Sequence, residues 1–401
     1  MKKLLWVVLG LLLVVLITGG AWVYIVKFES EKPVIQIQPD KKYLGQKLTV
    51  IVEDPKSGVA EVKVEFLQQG KSVVVSSDAI PKGSLRVEKT FTLKPLPPGL
   101  KDGDATLKVS AKDHSWNRGN PVSLEKNIIV DTIPPQVSVL GFQHYVNQGG
   151  AGLVTYQTNK EVASGGVQVG DVFFPGYPAG KNLYQVYFAV PPDAKPDIST
   201  TVIVEDHGGN QAKSGFHIIL KAKSFKKDKI QLSDAFFNGI LPYFTGRDPN
   251  LKGTPLEMFL SVNRKQREAD HAEVKKICRT TTPQRLWSDT FVRLQNAKPM
   301  ASFAQDRTYV YNGQEVDRQV HLGVDLASLA QSPVPAANSG KIVFAGPLGI
   351  YGNTVMIDHG CGLFSMYSHL SRVDAEVNKD VKRGDSVGLT GATGMAGGDH
   401  L

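Results

Sequence analysis

The chain has 401 residues and a formal net charge of +8, from 46 Lys plus Arg against 38 Asp plus Glu. At roughly 100–200 residues per domain it holds two to four domains, and with 21% charged and 41% hydrophobic residues wholesale disorder, a collagen-like repeat and a multi-span membrane protein are disfavoured. The 39 Gly and 23 Pro favour short strands between frequent turns, and two Cys build no disulfide framework.

From Leu4 to Val26 the chain runs without a charge, longer than the roughly 20 residues that cross a bilayer core as a helix. Lys2 and Lys3 precede it and, by the positive-inside bias, stay in the cytoplasm. Residues 1–32 are therefore predicted to be a cytoplasmic Lys pair and a transmembrane signal anchor in the inner membrane, with the rest of the chain on the extracytoplasmic, periplasmic side. A cleaved signal peptide, cut near Gly19-Gly20-Ala21, is the alternative; its apolar region is usually about 7–15 residues. In an oxidising space Cys278 and Cys361 either pair or remain two unrelated thiols. The basic excess is spread along the chain and reads as a solvated surface, and nucleic acid is not an expected partner.

Residues 33–132 hold β-branched segments, Leu48-Thr-Val-Ile-Val52, Val62-Lys-Val-Glu-Phe66, Ala105-Thr-Leu-Lys-Val109 and Lys126-Asn-Ile-Ile-Val130, separated by turns at Pro55-Lys-Ser-Gly58, Pro97-Pro-Gly99 and Lys101-Asp-Gly103. This punctuation predicts a β-sandwich. Residues 133–221 repeat it with Val137-Ser-Val-Leu140, Gly166-Val-Gln-Val169, Tyr184-Gln-Val-Tyr187 and Thr201-Val-Ile-Val204. Near the end of each copy a strand enters a polar turn closed by Gly-Asn: Ala111-Lys-Asp113 before Gly119-Asn120, and Val204-Glu-Asp206 before Gly209-Asn210. The junction Val130-Asp-Thr-Ile-Pro-Pro135 resembles the linker between bacterial immunoglobulin-like domains, which implies two such domains in tandem.

Residues 222–300 read as a helical basic linker. Thr254-Pro-Leu-Glu257 has the capping-box pattern, with Pro at the first helical position, and predicts a helix to about Ile277. Its part from Asn263 to Lys276 is strongly charged and expected to be exposed, as a connecting helix; the sharper alternative is a lid over a catalytic groove.

Of the nine His, His321, His359, His369 and His400 fall in the last fifth of the chain. They lie in His321-Leu-Gly-Val-Asp-Leu-Ala327, Val355-Met-Ile-Asp-His-Gly360, Met366-Tyr-Ser-His-Leu-Ser371 and Gly397-Gly-Asp-His-Leu401, among segments that read as strands of a compact antiparallel sheet. In an extended strand a His and an Asp four apart lie roughly 13 Å apart. A bend at Gly323 is needed to bring both onto one metal ion.

The order His321-Leu-Gly-Val-Asp325, Val334-Pro-Ala-Ala-Asn-Ser-Gly340, Tyr367-Ser-His-Leu370, Val381-Lys-Arg-Gly-Asp385 and Thr390-Gly-Ala-Thr-Gly394 resembles the lysostaphin/LytM-type zinc metalloendopeptidases, over residues 301–401. The resemblance implies cleavage of peptide bonds in peptidoglycan stems or cross-bridges. It also implies Zn2+ held by His321, Asp325 and the second His of a later H-x-H, with His369 and His400 as the catalytic histidines. That second His would stand two positions after His400, and the sequence ends at Leu401. A fragment broken inside the motif is expected, with weak metal binding and negligible turnover as given. His359 reads as a turn residue of the scaffold. Gly391 to Gly398 lacks the Gly-Lys-Ser/Thr ending of a phosphate-binding loop and reads as a tight turn into the His400 strand.

The predicted whole is mainly β: an N-terminal transmembrane helix, two immunoglobulin-like β-sandwiches, a helical linker and an incomplete LytM-type peptidase domain, acting on peptidoglycan. The alternative is a non-catalytic LytM-like regulator whose partner is a cell-wall amidase; retention of His321, Asp325, His369 and His400 disfavours it.

Overall fold

The computed structural model describes the backbone of residues 2–141 and 143–401 and the side chains of residues 9–24, 27–141 and 143–401. The chain is mainly β with few helices. It forms two compact units: residues 1–137, 158–164 and 203–213, and residues 138–157, 165–202 and 214–401.

The first unit opens with the helix Lys2–Lys27, on which Leu11, Val15, Leu16 and Trp22 are exposed. The predicted span, Leu4 to Val26, falls partly on residues 4–8, 25 and 26, whose side chains lie outside the described residues. Among the described residues no helix is long and apolar enough to cross a membrane. Beyond it, Lys47–Glu53 lies between Val34–Gln38 and Arg86–Thr92, and a second sheet runs in the order Tyr43–Leu44, Val122–Val130, Gly103–Asp113, Val59–Gln68, Lys71–Ala79. The period-two alternation of Gly103–Asp113 turns Ala105, Leu107, Val109 and Ala111 inward. They pack with Leu48, Val50, Val52, Val64 and Phe66, at about 1.5–3 kcal/mol for each fully buried Val, Leu or Phe.

In the second unit the sheet that carries the candidate site runs Phe364–Leu370, Asn353–Asp358, Gly340–Pro347, Asp380–Val381, all antiparallel. Ile342, Val355, Ile357, Tyr367 and Leu370 form its core with Val334 and Val387. The stretch read as a linker contributes to a neighbouring sheet: Lys227–Gln231 pairs in parallel with Gln305–Tyr311, which pairs antiparallel with Gln314–His321.

The capping box forms as predicted: Thr254 Oγ1 accepts from the Glu257 N–H, and the Glu257 carboxylate accepts from the Thr254 N–H. The helix Pro255–Ser261 continues through a π-turn, Val262–Gln266, into Arg267–Ile277. Its charged part is largely exposed, as the sequence predicts, with Arg264, Lys265, Glu268, Lys275 and Lys276 in solvent, but two of its polar residues turn inward. Asn263 is fully buried and donates to Asp317 at 2.7 Å, and buried Asp270 accepts from the Ile350 N–H at 2.7 Å. Polar residues here are spent on tertiary hydrogen bonds, which charge patterning along one helix does not reveal. Cys278 and Cys361 are free thiols, so the pairing alternative is not realised; buried Cys361 instead donates to the Pro283 carbonyl at 3.3 Å.

Candidate functional site

His321 ends the strand Gln314–His321 and Asp325 begins the strand Asp325–Ala327. The bend between them brings His321 Nε2 to 2.9 Å from Asp325 Oδ1. It does not use a left-handed glycine: Gly323 is absent from the positive-φ residues, and a Cβ added there would meet His321 Nε2 at an ordinary 3.7 Å. His400 reaches the same place through its neighbours. It bridges to Gly391, and Leu401 exchanges backbone hydrogen bonds with Leu326 at 2.9 and 3.0 Å. Asp399 secures this approach by accepting from Thr390 Oγ1 at 2.6 Å and from the Gln331 N–H at 3.1 Å.

His369, in the strand Phe364–Leu370, holds a left-handed backbone with φ of 65°, a conformation that costs a non-glycine residue of order 1 kcal/mol or more. The loop after Thr390 presses against it: a Cβ on Gly391 would stand 2.4 Å from the Ser371 nitrogen and 2.8 Å from the His369 carbonyl oxygen. Only glycine fits there, and this closeness lets the loop's Thr393 carbonyl reach His369.

One pattern unites the three imidazoles. Nδ1 of His321 lies 3.1 Å from the Ser302 carbonyl, Nδ1 of His369 2.8 Å from the Thr393 carbonyl, and Nδ1 of His400 2.8 Å from the Gly398 carbonyl. A carbonyl can only accept, so each Nδ1 carries the proton and each Nε2 is left for the site. His400 Nε2 is 3.8 Å from Asp325 Oδ1, and the His369 and His400 rings are 4.8 Å apart. Such a nitrogen and oxygen donor set suits Zn2+, with His321 and Asp325 the pair in direct contact. Among the described residues, no third His, Cys, Asp or Glu closes with them into a set whose members all lie within 4.8 Å.

Burial works to raise the Asp325 carboxyl, but His321 and Arg307 outweigh it and hold it well below the usual carboxylate range. Arg307 takes the other oxygen, Oδ2, at 2.8 Å, leaving Oδ1 to face the imidazoles. Burial, with His400 beside it, lowers His369 to about 4, so its ring is neutral at pH 7.

His321, Asp325, His369 and His400 line one cavity of about 1020 Å3, together with Arg267, His271, Arg307, Tyr309 and Tyr351. The four residues singled out in the sequence thus converge. His359 does not join them: it is fully buried, with Nδ1 on the Ser339 carbonyl at 2.8 Å and Nε2 on Ser365 Oγ at 2.7 Å. Arg307 escaped the sequence reading because nothing in its alternating strand marks it. Arg267 and His271 escaped because their helix carried only a connecting or lid reading.

The family model for peptidase family M23 matches residues 319–401. Over 83 residues the chain is 40% identical to the DD-carboxypeptidase/endopeptidase Mpg of Neisseria meningitidis, covering 21% of this chain and 19% of that protein. Over 81 residues it is 36% identical to the peptidoglycan DD-endopeptidase ShyA of Vibrio cholerae, covering 20% and 19%. Among solved structures, the catalytic domain of lysostaphin from Staphylococcus simulans is 34% identical, with a TM-score of 0.23, covering 27% of this chain and 78% of that one. The chain thus spans about a fifth of the length of the curated relatives it matches.

Proposed function

Residues 319–401 belong to peptidase family M23, and from that premise we propose that the protein is a zinc-dependent peptidoglycan endopeptidase whose ion is held by His321 and Asp325. The observation that carries this reading is the convergence of His321, Asp325, His369 and His400 on one cavity, with three Nδ1 atoms tied to backbone carbonyls. The substrate class is supported by relatives named as endopeptidases, ShyA as one of peptidoglycan.

A bound Zn2+ supplies an open coordination position, a water acidified to about pKa 7 and polarisation of the scissile carbonyl. The chain's own residues do the rest. Neutral His369, with Nε2 unprotonated, accepts the proton of the attacking water. His369 then returns that proton to the leaving amine, and His400, one ring away, stabilises the developing oxyanion in the form whose Nε2 is protonated as well as Nδ1. Arg307 positions Asp325 by holding Oδ2. The exposed apolar side chains of the N-terminal helix and the Lys2–Lys3 pair support anchoring in the cell membrane, with the bulk of the chain extracytoplasmic.

The test uses the chain carried one residue further, with His after Leu401, as the H-x-H resemblance requires. It should bind about one Zn2+ and release new amino termini from purified peptidoglycan, and His321→Ala should abolish both. Absence of zinc binding, with stimulation of a cell-wall amidase as the sole effect, would replace this reading by the regulatory one. Fractionation of cells expressing the protein should place it with membranes; recovery in the soluble fraction would sink the anchor.

A further inference from the structure

The first compact unit contains two carboxylate centres built on the same asparagine lock. In one, Asn210 Nδ2 donates to the Asp131 carbonyl at 2.7 Å and to Asp206 Oδ1 and Oδ2 at 3.1 and 3.0 Å. Lys160 Nζ stands between the two acids, 2.7 Å from Asp131 Oδ1 and 2.5 Å from Asp206 Oδ2. In the other, Asn120 Nδ2 donates to the Glu29 carbonyl at 2.9 Å, to Glu29 Oε1 at 3.1 Å and to Asp113 Oδ2 at 2.9 Å. Glu29 therefore corresponds to Asp131, and Asp113 to Asp206.

The centres differ in the third side chain. Where one has Lys160, the other has Asp54. One oxygen each from Glu29, Asp54 and Asp113 lie within 4.8 Å of one another, and all three residues are buried. Asp54 is 1% exposed, and its Oδ1 accepts from the N–H groups of Lys56, Ser57 and Gly58 at 3.1, 2.8 and 2.8 Å. Its Oδ2 is buried with no partner. Lys56, in the same loop, gives its ammonium to Glu31 at 2.5 Å. Among the described residues, no Lys, Arg or His pairs directly with the three acids; Lys56, held by Glu31, acts on Glu29 and Asp54 only from a longer distance.

Three buried carboxylates with no cation in contact are disfavoured. The other centre solves the same problem with an ammonium built into the chain. We propose that the Glu29, Asp54 and Asp113 centre is a Ca2+ site, in which the ion takes the place that Lys160 Nζ takes in the second copy. The donors are all hard oxygens, which select Ca2+ over the transition metals, and its flexible coordination of six to eight oxygens admits waters beside the carboxylates. Asn120 holds two of the acids in place and Asp54 Oδ2 supplies the unsatisfied oxygen. The ion would tie the segment that follows the N-terminal helix to the loops at 54–58 and 113–120.

The experiment is calorimetric titration of CaCl2 into the chelator-stripped full chain, alongside thermal unfolding. One Ca2+ should bind with half-saturation below about 1 mM, the range of extracellular modules, and raise the unfolding temperature. Asp54→Asn keeps an acceptor for the three N–H groups and removes the charge, so it should fold, by circular dichroism, and lose the response; Glu29→Gln should weaken it. No Ca2+ uptake by the unaltered chain, or equal uptake by Asp54→Asn, would overturn the proposal. So would a response to Zn2+ with none to Ca2+.

Discussion

Asp206 and Asp54 are each 1% exposed and each close a strand before a polar turn, yet their surroundings differ in charge. Asp206 has Lys160 at 2.5 Å, whereas Asp54 faces Glu29 and Asp113. Asp325 belongs with Asp206, because the Arg307 guanidinium at 2.8 Å opposes its charge. The lesson is that acid count does not decide where an outside ion is needed. What decides it is whether the fold brings a cationic side chain to the buried oxygens, and in the first copy it brings a third acid instead.

The comparison breaks most visibly at Asp325. His321→Ala takes away both the partner of Asp325 and a proposed ligand. In the chain carrying the complete H-x-H it should lower peptidoglycan cleavage by more than about 100-fold, since even residues that only orient a metal ligand are typically worth 10–100-fold. Cleavage within a few-fold of the unaltered chain would remove His321 from the site. Lys160→Met tests the internal ammonium. It leaves two acids facing each other, and the expected loss is about 3 kcal/mol, the lower end for breaking a buried pair, since Lys160 retains some exposure. Denaturant unfolding measures it, and Ca2+ should not restore the loss, because this centre lacks a third carboxylate. Recovery in Ca2+ would erase the distinction between the copies. Arg307→Met should weaken metal binding about 10–100-fold while leaving His321 in place; an unchanged affinity would make Arg307 a bystander.

Much of this was legible in the residues. Period-two runs such as Gly103–Asp113, the Gly-Asn turns, the Thr254–Glu257 capping box and the order of the histidine motifs are local signals, and the fold uses them where the sequence places them. Long-range partners were not legible. Arg307 reaches Asp325 across a strand pairing, and Lys160 reaches Asp131 and Asp206 from a loop 29 residues from the former. Burial of Asn263 and Asp270 depends on where the strand Gln314–His321 and the turn Gly349–Tyr351 arrive, which helix patterning does not contain. Glu29 and Asp54 passed unremarked, and Asp113 was read only as the entry to a polar turn, because acids spread that far along a chain look like solvated turns until the sandwich closes on them.

The smallest expected effect is also the most discriminating, because the two copies should respond to pH with opposite sign. Burial works to raise Asp206, but Lys160 and Asn210 outweigh it and lower its pKa. Its contribution to stability is therefore complete above the unfolded value, about 3.9, and is lost as pH falls below it. Glu29 is raised by burial, with Asp113 adding to the effect. In the ion-free protein its contribution is complete below the unfolded value, about 4.3, and is lost as pH rises through the higher folded value. Hydrogen exchange resolves the copies separately. Between pH 4.5 and 7, without Ca2+, protection of the strand Val59–Gln68 beside Asp54 should fall, while that of Thr200–Glu205 beside Asp206 stays level. Saturating Ca2+ should reverse the first slope, since the ion binds the ionised acids. Parallel slopes in both copies would mean that the first acidic centre is neutralised by something other than a proton or an ion.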